Sequence, residues 1–186
     1  MNNQPRCDRL ILSLAVGLLA ALAGGCASSH VRLVSYRDPY FPENYHVKLA
    51  DCAYRNAPGG GIQAVGRGVQ QTDQGTTTQY ISVHIFWKPI PGKTPADASM
   101  IDAILRYVVS SGDGVAVYTG TGFAYPKPAR GGGLDIALES GRLRLKSNSN
   151  MDDLLGNSQI TGQFQARNDP AAAATLLREA ELLAAR

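Results

Sequence analysis

From Leu134 to Lys146 the chain reads LDIALESGRLRLK, an apolar–polar alternation interrupted once, at Ser140-Gly141. A period of two is the pleat of a β-strand. With Ser140-Gly141 as a two-residue turn, Leu138 faces Leu143 and Ile136 faces Leu145 on one side. On the other side Glu139 faces Arg142 and Asp135 faces Lys146, which leaves Arg144 opposite Ala137. Each opposite-charge pair adds about 0.2–1 kcal/mol. A slip of one residue would turn the leucines outward and the charges inward, so both faces select one register. The pattern predicts a β-hairpin and places the C-terminal half of the chain in an antiparallel sheet.

The remaining segments are read in the same way. Residues 45–55 suit a strand, and residues 61–71 and 77–88 form a hairpin around the turn-type cluster Thr72-Asp73-Gln74-Gly75. Ile81, Val83, Ile85 and Trp87 share the better core face; Tyr80, Ser82, His84 and Phe86 share the other. A helix is expected next, with Thr94 as N-cap, Pro95 at the first helical position, Asp97 three residues after the cap and Gly112 as its stop. Its stripe is Met100, Ile101, Ile104, Leu105 and Val108. Residues 114–125 suit a strand; Pro126, Pro128 and Gly131-Gly132-Gly133 mark a loop, and residues 147–158 a second loop. Residues 159–166 suit a last strand with Ile160 and Phe164 inward. Asp169-Pro170 caps a closing helix with the stripe Leu176, Leu177, Ala180, Leu183 and Ala184. The order β-β-β-α-β-β-β-β-α predicts an α+β fold, a mostly antiparallel sheet with two helices packed on one face.

The N-terminus carries an address. Arg6 and Arg9 precede the apolar run Leu10–Ala23, whose fourteen residues make a helix of roughly 21 Å. A bilayer core needs about 30 Å. A basic start, a short apolar middle and small residues afterwards describe a cleaved secretory signal. The junction Leu22-Ala23-Gly24-Gly25-Cys26 resembles the lipobox of bacterial lipoproteins. The resemblance covers residues 1–26, and Ala23 stands where that family prefers Leu. It implies cleavage between Gly25 and Cys26, a diacylglyceryl group on the Cys26 sulfur and acylation of the new amino terminus. It also implies that Ala27 permits transfer to the outer membrane, facing the periplasm, in a source that has one. The alternative is ordinary cleavage after Ala23, which would release the chain. The expected organisation is therefore a signal peptide at 1–25, a lipidated N-terminus and tether at 26–43, and a single domain at 44–186. In the tether Tyr36, Tyr40 and Phe41, with Tyr45 just beyond, either contact lipid headgroups or pack on the domain.

Catalytic signatures are not found. His30, His46 and His84 are scattered, and no HxxxH, CxxC or carboxylate–His spacing supports a metal site. Gly59-Gly60-Gly61 and Gly120-Thr121-Gly122 match no phosphate-binding loop, and together with Gly66 and Gly68 read as bends, bulges or thin places in a sheet. Once the leader is removed Cys52 has no intrachain partner within the domain and reads as a small buried residue on a strand. The formal net charge of +3 is too small a bias for nucleic acid. No cofactor is expected. Two functional readings follow. The first is a membrane-anchored envelope protein, bound to the bilayer through acylated Cys26, that binds or braces an envelope protein partner without catalysis. The second is a small-ligand-binding protein or hydrolase-like enzyme using the sheet face around Tyr80, Ser82 and His84.

Overall fold

A computed structural model describes residues 29–58, 60–72, 75–86 and 102–186. The leader, Gly25 and Cys26 lie outside these residues, as do Trp87 and the Thr94–Ile101 part of the expected first helix. The described elements are β1 (His30–Ser35), β2 (Glu43–Lys48), β3 (Asp51–Asn56), β4 (Ile62–Thr72), β5 (Gly75–Ile85), β6 (Ala103–Ser111), β7 (Gly114–Pro128), β8 (Leu134–Ser149), β9 (Ser158–Asn168) and one helix, α1 (Pro170–Ala184).

Strands β3 to β8 form an antiparallel meander, each paired with the next. β8 then pairs with β9, and β9 pairs in parallel with β3 through Ala53↔Arg167 and Tyr54↔Asn168. The ring β9-β3-β4-β5-β6-β7-β8 is thereby closed. An odd ring of alternating strands needs one parallel pair, and β3–β9 supplies it. β2 and β3 are nearly one strand, bent at Leu49-Ala50, where Leu49 N–H donates to Ser29 O and Ala50 N–H to Arg67 O. β1 fills the gap that the bend opens, pairing with β9 on one side and β2 on the other.

Closure leaves an inside and an outside. Inward side chains fill the barrel: Leu33, Ile62, Ile81, Val83, Ile85, Leu105, Tyr118, Ile136, Ile160 and Phe164 are essentially inaccessible. A ring of this size has an interior that side chains can fill, and burial of each large apolar residue stabilises by roughly 1.5–3 kcal/mol. Outside, α1 crosses the wall and buries Ala173, Leu176 and Ala180 against Ala53, Val65, Tyr80, Val108 and Val117. Asp169 caps it by accepting from Ala172 N–H at 2.9 Å, and Pro170 occupies the position where a missing N–H costs nothing. Arg67, bonded to Asp51 at 2.5 Å and 3.6 Å from Glu179, ties the helix to the wall together with Tyr80, whose hydroxyl donates to Glu179 at 2.9 Å.

The α+β expectation with two helices is thus corrected: the described residues form a closed, largely antiparallel sheet with one helix. Residues 103–111, expected to continue a helix, form β6 between β5 and β7. Val108 imitated a helical stripe because it points outward and is apolar, being covered by α1. Ser140-Gly141 is not a hairpin turn. β8 runs on through it, and β7 pairs Thr121 with Arg142 and Phe123 with Glu139, so Ser140 and Gly141 together oppose Gly122. This is a β-bulge, with Ser140 at φ 51°. One extra residue switches the inward set from Leu134, Ile136 and Leu138 to Gly141 and Leu143. The burial expected for Leu138 and Leu143 is found, and Glu139, Arg142, Asp135 and Lys146 are exposed; their pairing across a turn is not found. Nor does a tether extend to residue 43, since β1 begins at His30. The Thr72–Gly75 connection, the inward face of β5, the inward Ile160 and Phe164, and the closing helix are as expected.

Candidate binding site at the open end of the barrel

The β1–β2 loop, the β4–β5 and β6–β7 turns and the β8–β9 loop lie at one end of the barrel. There the inward positions change character. Along β5, Ile81 gives way to Gln79 and Thr77; along β6, Leu105 gives way to Tyr107, Val109 and Ser111. With Tyr45 and Val47 of β2 and Gln70 of β4 they line a cavity of about 720 Å³, with His46 at its rim. Met151, Leu154 and Leu155 of the β8–β9 loop form its remaining side.

That loop is held by two buried hydroxyls, Tyr118 and Ser35. Tyr118 points into the barrel, donates to Asp153 Oδ1 at 2.9 Å and accepts from Leu154 N–H at 2.9 Å and Leu155 N–H at 3.3 Å. Asp153 Oδ1 also accepts from Leu155 and Gly156 N–H, and Ser35 hydroxyl donates to Leu155 O at 2.8 Å. Burial, and then the bond to Asp153, push the Tyr118 hydroxyl up to about 12. Burial also raises Tyr107, whose hydroxyl donates to Gln79 Oε1 at 2.7 Å. Gln79 Nε2 has no protein partner among the described residues, so a free amide donor is offered inside a largely apolar cavity. Thr77 and Ser111 hydroxyls, 3.2 Å apart, are close by. Among the described residues no Asp, Glu, Lys or Arg lines the cavity. Amides and hydroxyls on an apolar wall can orient a ligand.

A second cavity, about 660 Å³, is a groove on the outer wall over β7, β8 and β9. Its lining includes Thr119, Thr121, Arg142, Arg144 and Gln159, with Tyr36 overhanging. Tyr36 N–H donates to Asn157 O at 2.9 Å, so the loop that closes the barrel mouth also bounds this groove.

The residues singled out in the sequence are placed elsewhere. Tyr80 lies beneath α1. Ser82 and His84 are on the outer wall of β5, where His84 meets Phe86 edge-on at 5.8 Å, and neither belongs to the two cavities. Cys52 is buried on β3, and burial pushes its thiol up to about 11, which keeps it protonated and unreactive at neutral pH. Among the described residues no group of three or more His, Cys, Asp or Glu side chains could hold a metal ion, and no helix is long and apolar enough to cross a membrane. The mouth residues had one legible signal: Gln79 is a polar residue on the same face as Ile81, Val83 and Ile85. Searches against protein-family models, curated proteins and solved structures match nothing to this chain.

Proposed function

We propose that this chain is a bacterial lipoprotein, held in the cell envelope by acyl groups on Cys26, whose barrel takes one small, uncharged amphipathic molecule in its open end. The binding role is carried by the cavity of about 720 Å³, where the Gln79 amide nitrogen donates to no partner among the described residues. Apolar walls with a few placed polar groups are the usual form of a ligand site, and barrel mouths are a usual place for one. The anchor is supported by the apolar run Leu10–Ala23 and the small residues before Cys26. Ala27 favours the outer membrane, facing the periplasm, where the source has one. The binding role is non-enzymatic.

Two measurements test the two halves of this reading. Palmitate labelling and membrane fractionation should both be lost in Cys26→Ala; unchanged labelling removes the anchor. For the mouth, the purified full chain is extracted with organic solvent and the extract examined by mass spectrometry. Wild type should yield an equimolar small molecule that Thr77→Trp, which fills the mouth, does not. Recovery of the same molecule from both, or of none from either, would argue against a ligand in the mouth.

A further inference from the structure

Helix α1 covers the wall formed by β3 to β7, whereas among the described residues no helix packs on the outer face of β8, β9, β1 and β2. That bare wall is basic where it meets the groove. Arg142 and Arg144 project from alternate positions of β8, roughly 7 Å apart along the strand, and neither side chain has a hydrogen bond or ion pair among the described residues. Arg106 lies in the same cross-strand row, Arg106↔Thr119↔Arg144, and its buried Nε has no partner among the described residues. Thr119, Thr121, Ser158 and Gln159 add hydroxyl and amide groups, and among the described residues no carboxylate lines the groove. Glu43, Asp135 and Glu139 are the acidic side chains on these strands, set toward strand ends and beyond the bulge. The β1–β2 loop, whose Tyr36 lines the groove, has an aromatic tip, Tyr40 and Phe41, 87% and 75% exposed.

Chain geometry places this wall. Two residues, Ala27 and Ser28, separate Cys26 from Ser29, so an acylated Cys26 lies at most about 14 Å from His30, where β1 starts. β1 is in the middle of the bare wall, between β9 and β2. We propose that the Arg142/Arg144 groove binds the phosphate of an anionic phospholipid headgroup, with Tyr40 and Phe41 entering the interface beside it, so that the β8–β9–β1–β2 wall lies on the bilayer. This rests on the lipid-anchor reading. Arginine forks suit phosphate oxygens, aromatic rings suit the headgroup level, and a cationic surface adds to what acyl chains supply.

The test uses the full chain purified from membranes and reconstituted in vesicles of phosphatidylcholine with or without phosphatidylglycerol, both brominated. Phe41→Trp and Leu182→Trp report the two walls by quenching, read against wild type, whose one tryptophan is Trp87. Quenching at Phe41→Trp, strengthened by phosphatidylglycerol, and little at Leu182→Trp is the expected result. Adding Arg142→Gln and Arg144→Gln to Phe41→Trp should shift the facing equilibrium by roughly 30-fold on phosphatidylglycerol, two charges' worth at the membrane surface, and leave phosphatidylcholine unchanged. Equal quenching at both tryptophans, or a phosphatidylglycerol effect that survives loss of both arginines, overturns the proposal. Reversal of that effect by millimolar inorganic phosphate at constant ionic strength would reassign the groove to a free anion. Acyl mass on Cys26 is measured on the same preparation. If none is present the anchor reading fails, and the chain is added to preformed vesicles: arginine-dependent quenching there keeps the headgroup site, and its absence removes it.

Discussion

Gly141→Ala separates the bulge from a turn by packing alone. In a turn, residue 141 would sit in solvent and tolerate a methyl group. In the barrel it is buried and faces inward. A Cβ built there would lie 2.5 Å from Ile160 Cγ2, 2.6 Å from Leu105 Cδ1 and 3.1 Å from Ile160 O. Carbon atoms rest at about 3.5–4.0 Å, so two contacts are each about 1 Å too short. Neither neighbour has room to retreat, since Ile160 and Leu105 are 0% and 1% exposed, and Ile160 is stiff at χ1. Overpacking of this kind costs about 1–3 kcal/mol, and two opposed contacts place the change in the upper half of that range. For a domain of this size the midpoint of thermal unfolding should fall by roughly 4–12 °C. Urea denaturation followed by circular dichroism measures the loss directly. Ser140→Gly is the companion variant: it relieves a left-handed backbone at φ 51° without adding volume, and should leave stability equal or slightly higher. If Gly141→Ala changes stability by less than about 0.5 kcal/mol, position 141 does not face the interior and the bulge assignment is wrong.

Tyr118→Phe should cost about 2 kcal/mol, because it strips a buried hydroxyl from Asp153 and from two backbone N–H groups. Amide exchange at Leu154 and Leu155 should accelerate more than exchange in β5, and uniform acceleration would contradict a local lid. Because its folded value is raised to about 12, the Tyr118 hydroxyl contributes stability that is complete below pH 10 and lost as pH rises toward 12. The Phe variant should lack that share of the alkaline loss in pH-dependent unfolding. Burial raises the Asp102 carboxyl, partly offset by the Ala124 N–H bond at 2.9 Å, and its Oδ2 is buried with no partner among the described residues. A raised acid contributes fully below its unfolded value and loses that contribution as pH climbs through the folded one. Asp102→Asn should therefore stabilise at pH 7, with the gain shrinking toward pH 4; a gain that grows toward pH 4 would contradict this. Leu143→Ala should destabilise by about 2–5 kcal/mol and Lys146→Ala by under about 1 kcal/mol, since one is buried and the other exposed; denaturation that reverses the order would mean the inward face is misassigned.

Alternation along a strand is a local property, and it was legible wherever one face met the core. Ile81, Val83 and Ile85, Leu138 and Leu143, and Ile160 and Phe164 were assigned inward from spacing alone and are buried. The closing helix was legible because Asp169-Pro170, an alanine-rich run and an apolar stripe agree. β6 was not, because α1 makes one of its outward positions apolar and so erases the alternation. The candidate site was legible only in fragments. Gln79, Tyr107 and Tyr45 come from three strands, and nothing local says that they converge; the groove joins β7, β8 and β9 with a loop from between β1 and β2 in the same way. Tyr80, Ser82 and His84 share a strand face, but a covering helix removes the first and an open wall leaves the others without a pocket.

What the residues alone determined was which side chains turn inward and where the inward set changes parity at Ser140-Gly141. A two-residue turn and a one-residue bulge shift parity alike, and both place Leu138 and Leu143 inside. Only the partners of β8 separate them. In the barrel, β7 and β9 flank the strand through and beyond the bulge, satisfying the N–H and C=O groups on both edges. A reversal at Ser140 would have removed those pairings and left the sheet open. The choice between turn and bulge was therefore made by long-range backbone hydrogen bonding, which closes the ring and which no local pattern encodes.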